Sequence, residues 1–276
     1  FSNRFKAVPP PLHATQTLPD FKIEPLNCGL TPIWVVREDI LEGGTKQRAC
    51  LPYLKACHDS GARVFVYASP FAGFAQVALA VTARTLGIPV TLFCEKDATK
   101  PGKRVFHEFS ELARGYRARI ELCDSLSEAT ERTSEYASQD SERLALPLGF
   151  DCPIFKKFLK QEITRGWEKI LQVTDQEPAT VWLPVGSGTL LKTFSQVIPQ
   201  HVNIRGVNVR VLSDSDSRMI ELAGINRCQI DPTPETFAEH SVVMPPIPSN
   251  IHYDAKLWQF MQRSAKPGDL WWNVAR

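Results

Sequence analysis

The sequence lacks the features that identify several common classes of protein. Its apolar runs fall well short of the ~20 residues that a membrane-spanning helix needs, so we expect no membrane span. The seven cysteines show no CxxC spacing and the six histidines no HxxxH or HxH pair, which leaves no pattern for a metal site. There is also no GxSxG elbow, no GxxxxGK[ST] loop and no internal repeat.

Composition excludes further classes. The 32 Lys and Arg nearly balance the 30 Asp and Glu and are spread along the chain, so a dedicated nucleic-acid binder is not indicated. An odd number of cysteines without a signal-peptide pattern is typical of reduced thiols, which predicts a cytoplasmic protein. With 276 residues, 43% of them hydrophobic, the chain can bury the core of one or two domains.

Strand and helix patterns alternate after a proline-rich segment, residues 1–20, that we predict to be an extended arm. The alternation predicts βαβ units in an α/β fold: two open, mainly parallel sheets flanked by helices. The predicted strands are 33–36, 63–68, 90–94, 118–123, 144–148, 180–185, 207–212 and 269–274, and the predicted helices are 46–55, 74–86, 103–115, 127–138, 155–172, 190–198, 217–224 and 254–264.

Lys46 stands in the first turn of a predicted helix, directly after the turn Gly43-Gly44-Thr45. A cation is disfavoured at the positive end of a helix, and the same field lowers its pKa from about 10.4. A neutral amine can form a Schiff base with an aldehyde cofactor. From spacing alone, a solvated surface lysine is the simpler interpretation.

Gly186, Ser187, Gly188 and Thr189 lie between a predicted strand and a predicted helix. Glycines allow the backbone to turn its N–H groups toward an anion, and the helix adds its positive end. The two hydroxyl groups can donate as well. The pattern suits a phosphate site, although a plain strand-to-helix connection has the same sequence.

The segment REDILEGGTKQR, residues 37–48, resembles the Schiff-base segment of pyridoxal-phosphate enzymes of fold type II, the tryptophan synthase β-like fold. It is most similar to the branch of aminocyclopropane-carboxylate deaminase and D-cysteine desulfhydrase. The resemblance implies that Lys46 binds pyridoxal 5′-phosphate and that residues 186–189 hold its phosphate. It also implies a large domain of residues 1–50 and 150–276, a small inserted domain of residues 51–149, and a homodimer.

The segment HYDAK, residues 252–256, resembles a tyrosine-acid-glycine-lysine segment of the same branch, in which the acid faces the pyridine nitrogen. A carboxylate there keeps the nitrogen protonated and makes the cofactor a strong electron sink. This implies a cofactor contact for Asp254 and stacking or proton relay for Tyr253. A simple helix N-cap at Asp254 fits the residues equally well. Residues 146–151 resemble the family's proline-x-glycine return segment beside the substrate.

One departure from the family concerns residues 68–76. The family carries an asparagine here that contacts the cofactor's ring hydroxyl, whereas this sequence has none, and Phe71 or Phe74 takes its place. Ser69 and Gln76 are the polar residues that remain. We expect Ser69 to contact the substrate carboxylate or its Cα.

The resemblance implies an enzyme that acts at the Cα of an amino acid through an external aldimine and a quinonoid, as a deaminase, another lyase or a decarboxylase. A second hypothesis is a phage-type enzyme that decarboxylates an amino acid attached to thymine during DNA base hypermodification, with a nucleotide- or DNA-linked substrate. A third is a non-catalytic relative that binds a ligand or a partner.

Overall fold

The computed structural model describes residues 18–276, so the predicted arm lies almost wholly outside the described residues. Within residues 18–276, the larger sheet consists of six strands: β1 Ile23–Cys28, β2 Thr31–Arg37, β7 Thr180–Val185, β8 Asn203–Asn208, β9 Cys228–Pro232 and β10 Leu270–Asn273. Their order in the sheet is β1-β2-β10-β7-β8-β9. Among these strands, β1 and β2 pair antiparallel, and the other pairs are parallel.

The smaller sheet of the described residues has four strands: β3 Val64–Ser69, β4 Val90–Glu95, β5 Arg119–Cys123 and β6 Arg143–Leu146. They are all parallel and lie in the order β5-β4-β3-β6. These strands come from the middle of the sequence, inside the segment 51–149; the limits of the two domains themselves stay a prediction.

Helices flank both sheets, and the predicted fold class is confirmed. Trp272 of β10 sits at the centre of the main core, edge-on to Phe21 and Phe194 at ring distances of 5.5 and 4.9 Å. Within residues 18–276 we find no helix with the length and apolar character to cross a membrane. The helices are α1 Thr45–Asp59, α2 Ala75–Leu86, α3 Glu108–Gly115, α4 Leu126–Ser138, α5 Pro153–Val173, α6 Thr189–Val197, α7 Ser217–Ala223 and α8 Trp258–Ser264, with 3-10 turns at Glu38–Ile40, Leu148–Phe150 and Asp254–Leu257.

The predicted elements differ most from the structure at four places. The helix predicted over 103–115 begins only at Glu108, after His107 caps it by accepting from the N–H of Phe109. Strands β1 and β9 were not predicted, because both contain proline, which an edge strand tolerates. Strand β8 begins and ends four residues earlier than the predicted 207–212, since Arg210 has a φ of 65° that stops the extended chain. The predicted helix 254–264 is a 3-10 turn followed by a short α-helix.

A buried ion pair ties the start of α1 to the end of β2. Glu38 and Arg48 form two hydrogen bonds of 2.7 Å each, and both side chains are fully buried. Arg48 also donates to the carbonyl of Pro19 and lies 3.9 Å from the ring centre of Phe21. Burial raises the pKa of Glu38, and the contact with Arg48 opposes that shift. The charged residues of the 37–48 motif therefore hold the Lys46 helix in place.

We expect Arg48→Met to lower the free energy of unfolding by about 3–5 kcal/mol, because it leaves Glu38 buried without its partner. Urea denaturation followed by circular dichroism measures this. Lys55→Met is the matched control on the same helix: it removes the exposed pair with Asp59 and should cost less than about 1 kcal/mol. Equal losses in the two variants would show that the buried pair does not anchor α1.

Candidate active site

Helix α1 begins against the end of β10. Gly44 has a φ of 63°, and a Cβ atom there would lie 2.4 Å from the carbonyl oxygen of Val274, so only glycine fits. The N–H of Thr45 donates to that same carbonyl at 2.9 Å, and the Thr45 hydroxyl accepts from the indole of Trp272 at 2.8 Å. These contacts fix the first turn of the helix, and with it the starting point of the Lys46 side chain.

The amine of Lys46 lies in a pocket rather than in open solvent. Its Nζ donates to the carbonyl of Gly149 at 3.3 Å and stands 5.5 Å from the ring centre of Phe150. The loss of water around the amine lowers the pKa of Lys46 to about 8, while Cys50 and Asp151 act in the opposite direction. The amine is therefore far easier to deprotonate than that of an exposed lysine.

The start of α1, with Lys46, forms one wall of this pocket, and the glycine turn of residues 186–189 forms a second wall. The turn joins β7 to α6, and Gly188 has a φ of 83°. A Cβ atom on Gly186 would lie 2.9 Å from the Tyr253 ring, so the turn packs closely under that side chain. Ser187 lines the pocket, whereas Thr189 is buried behind it, with 3.1 Å between their hydroxyl oxygens.

Gly149 joins the two walls. With a φ of 68°, it would place a Cβ atom 2.2 Å from the Ser187 Oγ, so the turn of residues 148–150 rests directly on the glycine loop. Its carbonyl accepts from Lys46 and its N–H donates to the phenol of Tyr67 at 3.2 Å. Sequence analysis placed Gly149 in a segment beside the substrate but missed Tyr67, which had only the pattern of a buried strand residue.

Asp254 is fully buried at the base of the pocket. Its Oδ1 accepts from the N–H of Val274 at 2.6 Å, and its Oδ2 has no hydrogen-bond partner in residues 18–276. Burial raises the pKa of Asp254 well above its usual range. The side chain does not cap the 3-10 turn in which it lies, so the N-cap interpretation does not describe its contacts.

Tyr253 and Ser69 are placed differently with respect to the pocket. Tyr253 lines it, and its ring packs edge-on against Phe237 with 5.4 Å between centroids. Ser69 is buried, donates to the carbonyl of Pro70 at 2.9 Å and is not among the lining residues. Phe74, not Phe71, lines the pocket where the asparagine is missing; Phe71 packs on Phe237 instead.

The pocket brings together residues from both sheets in a cleft of about 760 Å³, part of which is open solvent. Among the lining residues, Lys46 carries the amine and Asp254 the carboxyl. In the described chain, no group of three or more His, Cys, Asp or Glu residues could hold a metal ion. Of the residues predicted for the site, the lining ones are Lys46, Gly186, Ser187, Gly188, Tyr253 and Asp254, and the two outside the lining are Ser69 and Thr189.

No protein-family model and no curated protein sequence matches the chain. Solved structures do. An ACC deaminase homologue matches with a TM-score of 0.73 and 14% identity, over 93% of this chain and 89% of its own. The O-acetylserine-dependent cystathionine β-synthase of Helicobacter pylori gives a TM-score of 0.64 and 14% identity, over 92% of each chain. Escherichia coli diaminopropionate ammonia lyase gives 0.61 and 15%, over 90% of this chain and 78% of its own.

The chain has the fold of the fold type II pyridoxal-phosphate enzymes. The resemblance found in residues 37–48 is thereby confirmed at the level of the fold, which is all that identities near 14% establish. Enzymes of that class use pyridoxal 5′-phosphate, so this is the group against which the pocket of this chain is compared. The residues present fit that group: a neutralisable amine at Lys46, a glycine turn at residues 186–188, and an unpartnered buried oxygen on Asp254.

Replacement of Gly149 tests the junction between the two walls. We expect Gly149→Ala to lower the free energy of unfolding and to weaken pyridoxal-phosphate binding by at least about tenfold, because the new methyl group displaces Ser187. Fluorescence titration and urea denaturation measure the two effects. Gly102→Ala is the control: its φ is 78°, but nothing lies within 4 Å, so it should show only the ~1–2 kcal/mol backbone cost. Identical behaviour of the two variants would contradict this account.

The lowered pKa of Lys46 predicts a pH dependence of its reactivity. Acylation of the cofactor-free protein by a small anhydride, resolved by peptide mass spectrometry, should label Lys46 with a midpoint near pH 8. Labelling requires the neutral amine, so it should rise as the pH passes upward through that value. A small lysine amide added to the same reaction is the reference, since an amine of that kind has a pKa of about 10.4. The same midpoint for Lys46 as for this reference would mean that the amine of Lys46 is solvated.

Proposed function

We propose that this protein is a pyridoxal-phosphate-dependent enzyme acting at the Cα of an amino acid. The observation that carries the proposal is the amine of Lys46, whose pKa is lowered by burial in the same pocket as a glycine turn and the unpartnered Oδ2 of Asp254. When bound, the cofactor supplies an electron sink for bonds at the substrate Cα. The chain supplies binding, orientation and proton transfer.

Each group in the pocket has a role in the proposal. Lys46 binds the cofactor aldehyde and afterwards holds or moves a proton at Cα. The N–H groups of Gly186, Ser187 and Gly188, at the positive end of α6, bind the phosphate, with Thr189 supporting Ser187 from behind. Asp254 binds the pyridine nitrogen; because its raised pKa favours a protonated carboxyl, a proton is available to share with that nitrogen.

Tyr253 stacks near the ring or relays protons in this proposal, since its phenol lines the pocket. Ser69 remains a predicted substrate contact, and it requires the hydroxyl to leave the Pro70 carbonyl. An acid at the pyridine nitrogen favours reactions with a large build-up of charge at Cα, which include deamination and decarboxylation. Both therefore stay within the proposal, and the products distinguish them.

The first experiment measures cofactor binding by visible absorbance. The purified protein incubated with pyridoxal phosphate should become yellow, and Lys46→Ala should abolish the colour. Lys256→Met is the matched control, because Lys256 is also a buried lysine with a pKa lowered to about 8 but lies outside the pocket. If both variants keep the colour, or if the wild-type protein never acquires it, the proposal is wrong.

The second experiment identifies the reaction. The loaded protein is incubated with a panel of amino acids, and ammonia, oxo acid and carbon dioxide are measured, with Lys46→Ala as the blank. Ammonia with an oxo acid indicates deamination, and carbon dioxide with an amine indicates decarboxylation. Cofactor binding without turnover of any member would favour a nucleotide-linked substrate or a non-catalytic role. The homodimer and the cytoplasmic location stay predictions.

A further inference from the structure

Tyr67 is a pocket residue to which none of the roles above is assigned. It lies in β3, is 1% exposed, and packs its ring on Phe150 with 5.3 Å between centroids. Its side chain lines the same pocket as Lys46. A buried phenol normally finds a hydrogen-bond partner, so the question is where its own proton goes.

One hydrogen bond holds the phenol oxygen of Tyr67 in place. It accepts a hydrogen bond from the N–H of Gly149 at 3.2 Å, and the carbonyl of the same residue accepts from the Lys46 amine at 3.3 Å. Tyr67 and Lys46 are thus bonded to the two peptide groups on either side of the Gly149 Cα. A phenol has one proton to donate, and within residues 18–276 no hydrogen bond from the Tyr67 O–H is formed. That proton is available to a molecule in the pocket.

Tyr67 acts as a donor rather than as a base. Burial raises the pKa of Tyr67 beyond its ordinary value near 10, and the N–H of Gly149 acts in the opposite direction without cancelling the shift. The phenol therefore keeps its proton at neutral pH. An anionic oxygen beside it would receive a short, strong hydrogen bond in surroundings with little water.

We propose that Tyr67 donates a hydrogen bond to the ring oxygen of pyridoxal phosphate. The inference rests on the proposed function. In the cofactor this oxygen stands on the carbon next to the one that carries the aldehyde, so it lies beside the nitrogen that binds the aldehyde. Lys46 supplies that nitrogen, and Tyr67 shares Gly149 with it.

The neighbouring segment offers no competing side chain for this contact. Phe74 lines the pocket but has no donor, and the hydroxyl of Ser69 is bonded to the Pro70 carbonyl. Gln76 is fully buried and lies outside the lining, with its oxygen accepting from Ser110. Tyr253 is the other phenol of the pocket, but its ring lies against Gly186 of the glycine turn, whereas the Lys46 amine is bonded to the carbonyl of Gly149. The oxygen beside the Lys46 nitrogen is thus left to Tyr67.

The contact has a measurable electronic effect. A donor stabilises the ring-oxygen anion most strongly when the neighbouring nitrogen has lost its proton, because the positive charge beside the anion is then gone. The donor therefore lowers the pKa of that nitrogen, and its loss raises the pKa. No proton leaves Tyr67 in this role, and no bond to it is made or broken.

The test is a pH titration of the visible absorbance of the loaded protein. Tyr67→Phe should raise the titration midpoint by about one pH unit, the size expected for one hydrogen bond to an ion. Tyr53→Phe is the matched control, since Tyr53 also packs on Phe150, at 6.3 Å, but its phenol contacts Cys152 outside the pocket. An unshifted midpoint in Tyr67→Phe, or equal shifts in both variants, would overturn the inference.

The two proposals fail in different ways. If the wild-type protein acquires no visible absorbance, the cofactor assignment fails; if it does and Tyr67→Phe titrates like wild type, only the role of Tyr67 fails. Should Tyr67→Phe not fold, the wild-type protein is titrated with pyridoxal phosphate and with its ring-oxygen methyl ether. We expect the ether to bind about tenfold more weakly, because it presents no anion to the phenol. Equal affinities would overturn the inference.

Discussion

The ion pair between Glu38 and Arg48 is the constraint on which the pocket depends. It is fully buried and bidentate, so it fixes the direction of α1 as well as its position. Residues two apart on an α-helix point about 200° apart around its axis. Anchoring Arg48 against Glu38 on one side of the helix therefore presents Lys46 to the opposite side, where the pocket lies. Lys46 and Arg48 therefore lie on opposite faces of α1, Lys46 toward the pocket and Arg48 toward Glu38.

Much of the fold could be predicted because its central strands and longer helices have strong local patterns. The errors fell where tertiary contacts override those patterns. Strands β1 and β9 have proline-containing sequences that only an edge position allows. Gly206 weakens the strand signal of β8, yet a Cβ there would lie 2.7 Å from Leu191, so packing demands the glycine that propensity disfavours.

The site could be predicted only in part, because its local motifs appear in the sequence and its tertiary contacts do not. Lys46 and the 186–188 turn are local motifs with spacings that a sequence displays. Gly149 contacts Ser187, 38 positions away, and Tyr67, 82 positions away. No local sequence pattern predicts either contact. Asp254 could be taken for an N-cap until its bond to the distant N–H of Val274 was seen. Sequence identifies the reactive groups better than the backbone that orients them.

The exclusion of water from the pocket changes the pKa values of its amine and its carboxyl. Removal of water lowers the pKa of the Lys46 amine and raises that of the Asp254 carboxyl, so each charged form is disfavoured. A ligand carrying a phosphate and a basic ring nitrogen would match the N–H groups of the glycine turn and the Oδ2 of Asp254, which has no partner within residues 18–276. The pocket is therefore better matched to a polar ligand than to water.

The contacts between α1 and β10 bear on the order in which the protein can fold. The N–H of Thr45 and its hydroxyl are satisfied by Val274 and Trp272, more than 220 residues later in the chain. On the ribosome, β2 and α1 emerge long before the strand that must separate β2 from β7. Until β10 is present, the larger sheet lacks the strand between β2 and β7, and the first turn of α1 lacks its contacts with Val274 and Trp272. The surroundings of Lys46 are therefore completed by one of the last parts of this sequence to fold.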